Sequence, residues 1–432
     1  MIDTRPQCRQ ERALLIGLEQ DGVSKWDLRD SLAELRELAR SAGAHVVDMV
    51  TQKLPKPTAP FYIGKGKAEL IKESFQDQQV TSVIFDNELS PAQGRNLENL
   101  FSRKVLDRTQ LILDIFAQRA RSREGRLQIE LAQLQYLLPR LTRMWTHLSR
   151  QTGGIGTRGP GETQLEVDRR RVQERIARLE RDLGEVRKHR AVQRQGRKRH
   201  QWPVAAVVGY TNAGKSTLLN LLTGSAVLAE DRLFATLDPT TRSLTLPNKQ
   251  RVLLTDTVGF LRNLPHTLIE SFKATLEEVV EADLLIHVVD VSHDQIEEQM
   301  AAVDAVIKEI GAYGKQTLII FNKIDALPDT EMARSYLEKF PGSVAISART
   351  GEGVEELIPA LQETLSSWRL RSRYKMPQSE SALLAEVHRV GHVLELRYED
   401  EFVELVAHVP PQLEAKLAPY LVRPGDTLAA PA

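Results

Sequence analysis

The chain has 432 residues, with 58 Lys and Arg against 58 Asp and Glu, 41% apolar residues and one cysteine, Cys8. That length exceeds one ordinary core, so roughly two to four domains are expected. A lone cysteine excludes a disulfide framework, no apolar run approaches the roughly 18–20 residues that cross a bilayer, and the amino terminus lacks a secretory-leader pattern.

A cytosolic chain without membrane insertion, a monomer docking on something large, is therefore expected. The neutral total hides a gradient. From Arg140 to Arg199 there are 17 Lys and Arg against 7 Asp and Glu, an excess of +10, whereas residues after 370 carry 7 against 9. One basic segment in a neutral chain points to a polyanion contact at that segment.

In chain order, Ala13–Leu18, Ala44–Met49 and Ser82–Phe85 read as strands, and Asp27–Arg40, Lys67–Gln76 and Pro91–Phe101 as helices. This alternation predicts a small α/β domain with a mainly parallel sheet over residues 1–126. From Leu127 the period changes. Leu127, Leu131, Leu134, Leu138, Leu141, Trp145 and Leu148 step by alternating fours and threes. The seam resumes at Val172, Ile176, Leu179, Leu183 and Val186, after the glycine-rich stretch 152–161. Two heptad helices around such a connector predict an antiparallel coiled-coil hairpin over 127–200, with Pro139 as a kink or restart and the charged run Arg187–His200 as its end. A clean α/β alternation follows over 201–370. Residues 371–432 form a small C-terminal α+β tail, with Val393–Tyr398 and Phe402–Ala407 as a β-hairpin.

The chemistry concentrates in the third segment. Val204–Val208 reads as a buried strand, followed by Gly209, Tyr210, Thr211, Asn212, Ala213, Gly214, Lys215 and Ser216, with a helix opening at Thr217. Strand, glycine-rich loop and helix N-terminus together cradle phosphates. Lys215 is expected to reach the β- and γ-phosphates and Ser216 to ligate Mg²⁺. Asn322, Lys323, Ile324 and Asp325 follow another strand run, and Ser347, Ala348 and Arg349 a third. A carboxylate at Asp325 can accept from both N1–H and the exocyclic amine of guanine, a donor pair that adenine lacks. GTP and GDP are thus the expected ligands.

Asp256, Thr257, Val258 and Gly259 follow the strand Arg251–Thr255. Asp256 is expected to hold a Mg²⁺ water, and the Gly259 N–H to meet the γ-phosphate. Between lie Phe234, Ala235, Thr236, Leu237 and Asp238, a switch loop whose Thr236 should complete the Mg²⁺ shell only when GTP is bound. Thr240 and Thr241 lead into the next strand and are the weaker choices. Lys215, Thr236 and Gly259 form the catalytic set. Phe260 stands where many GTPases carry a water-orienting glutamine, so turnover without a partner should be slow, on the order of 10⁻⁴ to 10⁻² s⁻¹. Asn212 matches the position that potassium-stimulated GTPases use to hold K⁺; a turn-forming asparagine explains it equally well, and both readings stay open.

Several stretches together resemble the HflX family of translation-associated GTPases: Phe61–Lys67, Asp107–Thr109, Arg126–Ala132, Gly153–Glu162 and Phe234–Thr240. The likeness spans about residues 12–368, with Ile155 where many members carry a further glycine. It implies binding to the large (50S) ribosomal subunit and its rRNA, and splitting of stalled ribosomes. Backbone and side chains at Gly153, Gly154, Arg158, Gly159 and Gly161 are then the expected RNA contacts. The resemblance also raises an ATP site at Gly64–Lys67, for which a lysine-bearing turn before a helix is the plainer reading. Two other functions remain open: a GTP-regulated module acting on a protein partner such as a membrane protease complex, and an ATP-driven RNA remodeller.

Overall fold

Strand runs rich in branched apolar residues alternate with capped helices through the first hundred residues. They form β1 (Arg12–Glu19), α1 (Lys25–Ser41), β2 (His45–Lys53), α2 (Lys65–Glu73), α3 (Phe75–Gln78), β3 (Ser82–Phe85), α4 (Pro91–Phe101), β4 (Lys104–Asp107) and α5 (Arg108–Arg119). The computed structural model describes residues 11–20, 25–141, 164–200, 202–224, 233–234, 236–248, 250–262, 276–329, 331–365, 370–399, 401–409 and 411–422. The first sheet has the order β2-β1-β3-β4, with every pair parallel. Its core gathers Leu14, Ile16, Val83, Phe85 and Phe101. Helix α2 starts at Lys65, two residues before the expected Lys67, and gives way after Glu73 to the short α3.

Arg108 opens α5 and pairs with Asp86 at 2.8 Å and with Glu34, all three largely buried. Its neighbour Asp107 caps α5 at Gln110 N and accepts from Tyr136 Oη at 2.7 Å. Tyr136 lies on α6 (Arg123–Leu137), so this carboxylate ties the helical segment to the sheet.

Leu127, Leu131 and Leu134 of α6 pack on Ile176, Leu179 and Leu183 of α7 (Gln164–His200), along the expected seam. Glu130 accepts both ends of a fork from Arg175, at 2.7 and 3.0 Å. Helix α6 stops at Leu137, short of Pro139, because a proline ring clashes with the preceding turn and lacks a donor. The expected seam positions Trp145 and Leu148, and the RNA-contact candidates Gly153, Gly154, Arg158, Gly159 and Gly161, lie outside the described residues. The charged run Arg187–His200 continues α7 as helix where the sequence suggested a terminus.

A second sheet follows: β5 (Val204–Gly209), α8 (Lys215–Thr223), β6 (Thr240–Thr245), β7 (Arg251–Asp256), β8 (Leu284–Asp290), α9 (Ile296–Glu309), β9 (Gln316–Asn322), α10 (Glu331–Lys339), β10 (Val344–Ile346) and α11 (Val354–Thr364). Its order is β10-β9-β8-β5-β7-β6, parallel except for β6 against β7. The core includes Val207, Leu218, Val252, Ile286 and Ile320.

The tail forms a third sheet from β11 (Leu370–Pro377), β12 (His392–Glu399) and β13 (Phe402–Val409), in the antiparallel order β11-β13-β12. Helices α12 (Ser381–Val390) and α13 (Pro411–Leu417) accompany it. The hairpin forms as expected; β11 and α12 were not anticipated.

The described chain divides into two compact units. The first runs to Val186 and also holds Leu233, Phe234, Thr236 and Leu237; the second holds the rest. Among the described residues no helix is long and apolar enough to cross a membrane.

Candidate nucleotide site

Strand β5 lies inside its sheet and ends at Gly209, whose φ of +151° is a glycine conformation. A Cβ there would stand 2.2 Å from Val288 O, and at Gly214 (φ +93°) one would stand 2.2 Å from Asn322 Nδ2. Side chains are sterically excluded at both positions, so the loop can wrap a phosphate closely. Helix α8 opens at Lys215 directly after the loop, with Thr217 in its first turn, and a helix N-terminus favours a bound phosphate.

Lys215 is buried, and its Nζ donates to Gly209 O at 3.2 Å and Tyr210 O at 2.7 Å. Burial lowers its pKa to about 8, opposed by the charge of Asp256 and assisted by that of Lys323. Ser216 Oγ donates to Asp256 Oδ2 at 2.7 Å, and Asp256 is fully buried. A serine hydroxyl beside a buried carboxylate is a hard-oxygen set of the kind that suits Mg²⁺. Bound there, the ion would supply charge neutralisation at the β- and γ-phosphates.

The segment after β7 zips onto the loop. Phe260 N donates to Gly209 O at 3.1 Å, Thr211 N donates to Phe260 O at 2.8 Å, and Arg262 N donates to Tyr210 Oη at 2.9 Å. Gly259 is thereby pressed on the loop: a Cβ would approach Thr211 Cα at 2.8 Å and Lys215 Nζ at 3.0 Å. Thr257 donates to Val207 O from a buried position, and Val258 is buried beside it. The Phe260 ring is buried at 2% exposure and has no donor or acceptor to offer a water.

The residues expected from the sequence to recognise the base converge on the same end of the sheet. Asn322 Nδ2 donates to Ala213 O and its Oδ1 accepts from Ala348 N, both at 2.8 Å, so this side chain stitches the phosphate loop to the 347–349 loop. Asp325 accepts from Ser347 Oγ at 2.6 Å and pairs with Arg349 at 2.5 Å. The Ser347 hydrogen bond, with Arg349 adding to it, holds the Asp325 carboxyl below its usual range. Lys323 adopts φ +71° and reaches Asp290 at 2.6 Å, with Ile324 next to it opening a short 3₁₀ turn through Asp325.

Two participants were invisible to sequence reasoning. Asp290 ends β8 in register with Asn322 at the end of β9, and only that pairing reveals it as the clamp on Lys323. His287, on β8, is buried close enough to Lys215 to feel its charge; burial first and Lys215 second push its pKa down to about 4. Asn212 takes the left-handed φ of +60°, in keeping with a turn asparagine.

Of the switch loop, Phe234, Thr236 and Leu237 belong to the first unit and Asp238 to the second, while Ala235 lies outside the described residues. Thr240 and Thr241 are in β6, with Thr241 Oγ1 3.0 Å from Thr255 Oγ1, so both serve the sheet. At Gly64–Lys67 the Gly64 N–H donates to Gln52 Oε1 at 2.9 Å and Lys65 pairs with Glu69 on its own helix, as a simple helix start would.

Three family models match in succession: a GTP-binding GTPase N-terminal region at residues 29–117, a GTP-binding GTPase middle region at 119–197 and a 50S ribosome-binding GTPase at 204–323. The GTPase HflX of Lacrimispora saccharolytica is 47% identical over 95% of this chain and 96% of its own length. The chain belongs to the HflX family of GTPases. The Escherichia coli GTPase HflX is 46% identical over 89% of this chain and 90% of its own. A GTP-binding protein from Sulfolobus solfataricus, solved in complex with GDP, is 26% identical, covering 83% of this chain and 99% of its own, with a TM-score of 0.45. As an HflX-family GTPase the chain binds GTP and hydrolyses it, and the cradle around Lys215 and the pocket at Asp325 are where its residues fit that chemistry.

Proposed function

We propose that this HflX-family GTPase docks on the large ribosomal subunit while GTP is bound, separates stalled ribosomes and leaves on hydrolysis. The observation that carries the reading is the union, in one chain, of a guanine-nucleotide pocket with a seam-packed helical arm in a segment of charge excess +10. An RNA surface is the polyanion such an arm suits. The 50S ribosome-binding family description over residues 204–323 supports the same partner. Within the cycle, Thr236 senses the γ-phosphate with Gly259, and Ser216 and Asp256 hold Mg²⁺. Turnover is slow until a partner orders the switch, because the buried Phe260 ring does not orient water.

The test is co-sedimentation with purified large subunits under a non-hydrolysable GTP analogue, GDP and no nucleotide, at 50 and 200 mM salt. The analogue should give the strongest pelleting. Six to ten phosphate contacts would lower affinity by roughly 10³–10⁵ across that salt range. No pelleting under the analogue sinks the proposal. Salt-insensitive capture by a protein complex would replace the ribosome with a protein partner.

A further inference from the structure

Phe234 is an aromatic residue in the switch loop with a left-handed backbone, φ +56°. A bulky side chain rarely holds that conformation unless its surroundings fix it. What fixes it lies outside the GTPase domain. The Phe234 ring meets the ring of Phe116 on α5 edge-on, with centroids 4.5 Å apart and planes at 71°. Phe116 is 1% exposed and Phe234 2%. Leu233 and Leu237, on either side, are buried as well. These loop residues accordingly group with the N-terminal domain, whereas Asp238 and the strand it leads into group with the second unit.

We propose that Phe116 is a positioning residue for γ-phosphate sensing: its ring seats Phe234 and thereby holds Thr236, two residues on, for the GTP-bound state. This rests on the reading that Thr236 senses the γ-phosphate. GDP has no γ-phosphate and needs nothing from Thr236, so the anchor should matter to one nucleotide and not to the other. Without it, Thr236 must be recruited from a loop with more freedom, and ordering each residue has an entropic cost. GTP affinity should fall while GDP affinity holds.

The experiment measures dissociation constants for GDP and a non-hydrolysable GTP analogue, with Mg²⁺, in the full chain. The variants are Phe116→Leu, Phe234→Leu, both together, and Thr236→Ala. Leucine keeps the site apolar, and a thermal melt confirms that each variant is folded. Each single leucine variant should raise the ratio of analogue to GDP dissociation constant about two- to tenfold, the range for removing one aromatic pair. The double variant should do no more than the stronger single, as expected for two halves of one contact. A purely structural role would weaken both nucleotides alike. An unchanged ratio, a lowered ratio or additive effects overturn the proposal. If Thr236→Ala shifts the ratio and the ring variants do not, the anchor is refuted and γ-phosphate sensing by Thr236 stands. If Thr236→Ala leaves the ratio untouched, the sensing reading falls, and the anchor proposal with it.

Discussion

At the residue scale, Lys215 and His287 set two separate pH windows, one for nucleotide binding and one for the stability of the fold. Lys215 has a pKa of about 8 in the folded chain, below its ordinary 10.5, and bound phosphates favour its charged form. Above pH 8 binding must therefore take up a proton, so GDP affinity should fall about fivefold between pH 8 and pH 9. A fluorescence titration between pH 7 and 9 reads this directly, and a flat profile refutes it. His287 titrates near 4 when folded against 6.5 when not. The unfolded chain thus binds more protons between these values, and the stability held above pH 6.5 drains as pH falls toward 4. The loss approaches about 3 kcal/mol. His287→Leu should flatten that acid limb of the unfolding midpoint against pH. Asn322 shows what sequence conveyed at this scale and what it did not. Its motif leads one to expect a guanine pocket, but its hydrogen bonds to Ala213 O and Ala348 N depend on loops 109 and 26 residues away, which no spacing rule connects.

Among the elements, legibility followed periodicity. The β5–loop–α8 unit and the parallel N-terminal sheet could be read because buried runs and glycine positions are local signals. The leucine seam could be read too, and Leu131, Leu179 and Leu183 form its buried centre. Element ends were less visible. Pro139 ended α6 where the heptad count ran on, and helix continued through Arg187–His200 although its charge looked like a terminus. Strand β11 escaped notice although Arg371, Arg373 and Lys375 stand at every second position, a strand period; its pairing with β13 establishes it. The seam carries its own prediction. Leu179 is fully buried, so Leu179→Ala should cost about 2–5 kcal/mol of arm stability. Proteolysis of the α6–α7 segment should accelerate while GDP affinity is unchanged. Equal protease resistance in the two proteins would mean that the seam contributes little.

For the whole molecule, the proposed docking on the ribosome turns on which charges of the basic segment are available to RNA. The excess of +10 overstates them. Arg175 is held by Glu130 at 2.7 Å, and Arg170 and Arg171 have carboxylates of their own helix within 3.8 Å. Arg169 and Arg178 are exposed on α7 and are better placed to meet phosphate. Exposed ion pairs contribute little to stability, so reversing Arg169 and Arg178 to Glu should leave the melting temperature within about 2 °C. Ribosome affinity should respond differently. Removing a single phosphate interaction should reduce the slope of log affinity against log salt by roughly 0.7–0.9. Reversing Arg175 instead sets a second carboxylate against Glu130, which should lower arm stability by no more than about 1 kcal/mol and leave that slope nearly unchanged. Pelleting at four salt concentrations separates the two outcomes. If Arg169→Glu and Arg178→Glu weaken binding equally at all salts, the arm does not act through phosphates, and its role reverts to shape or to a protein partner.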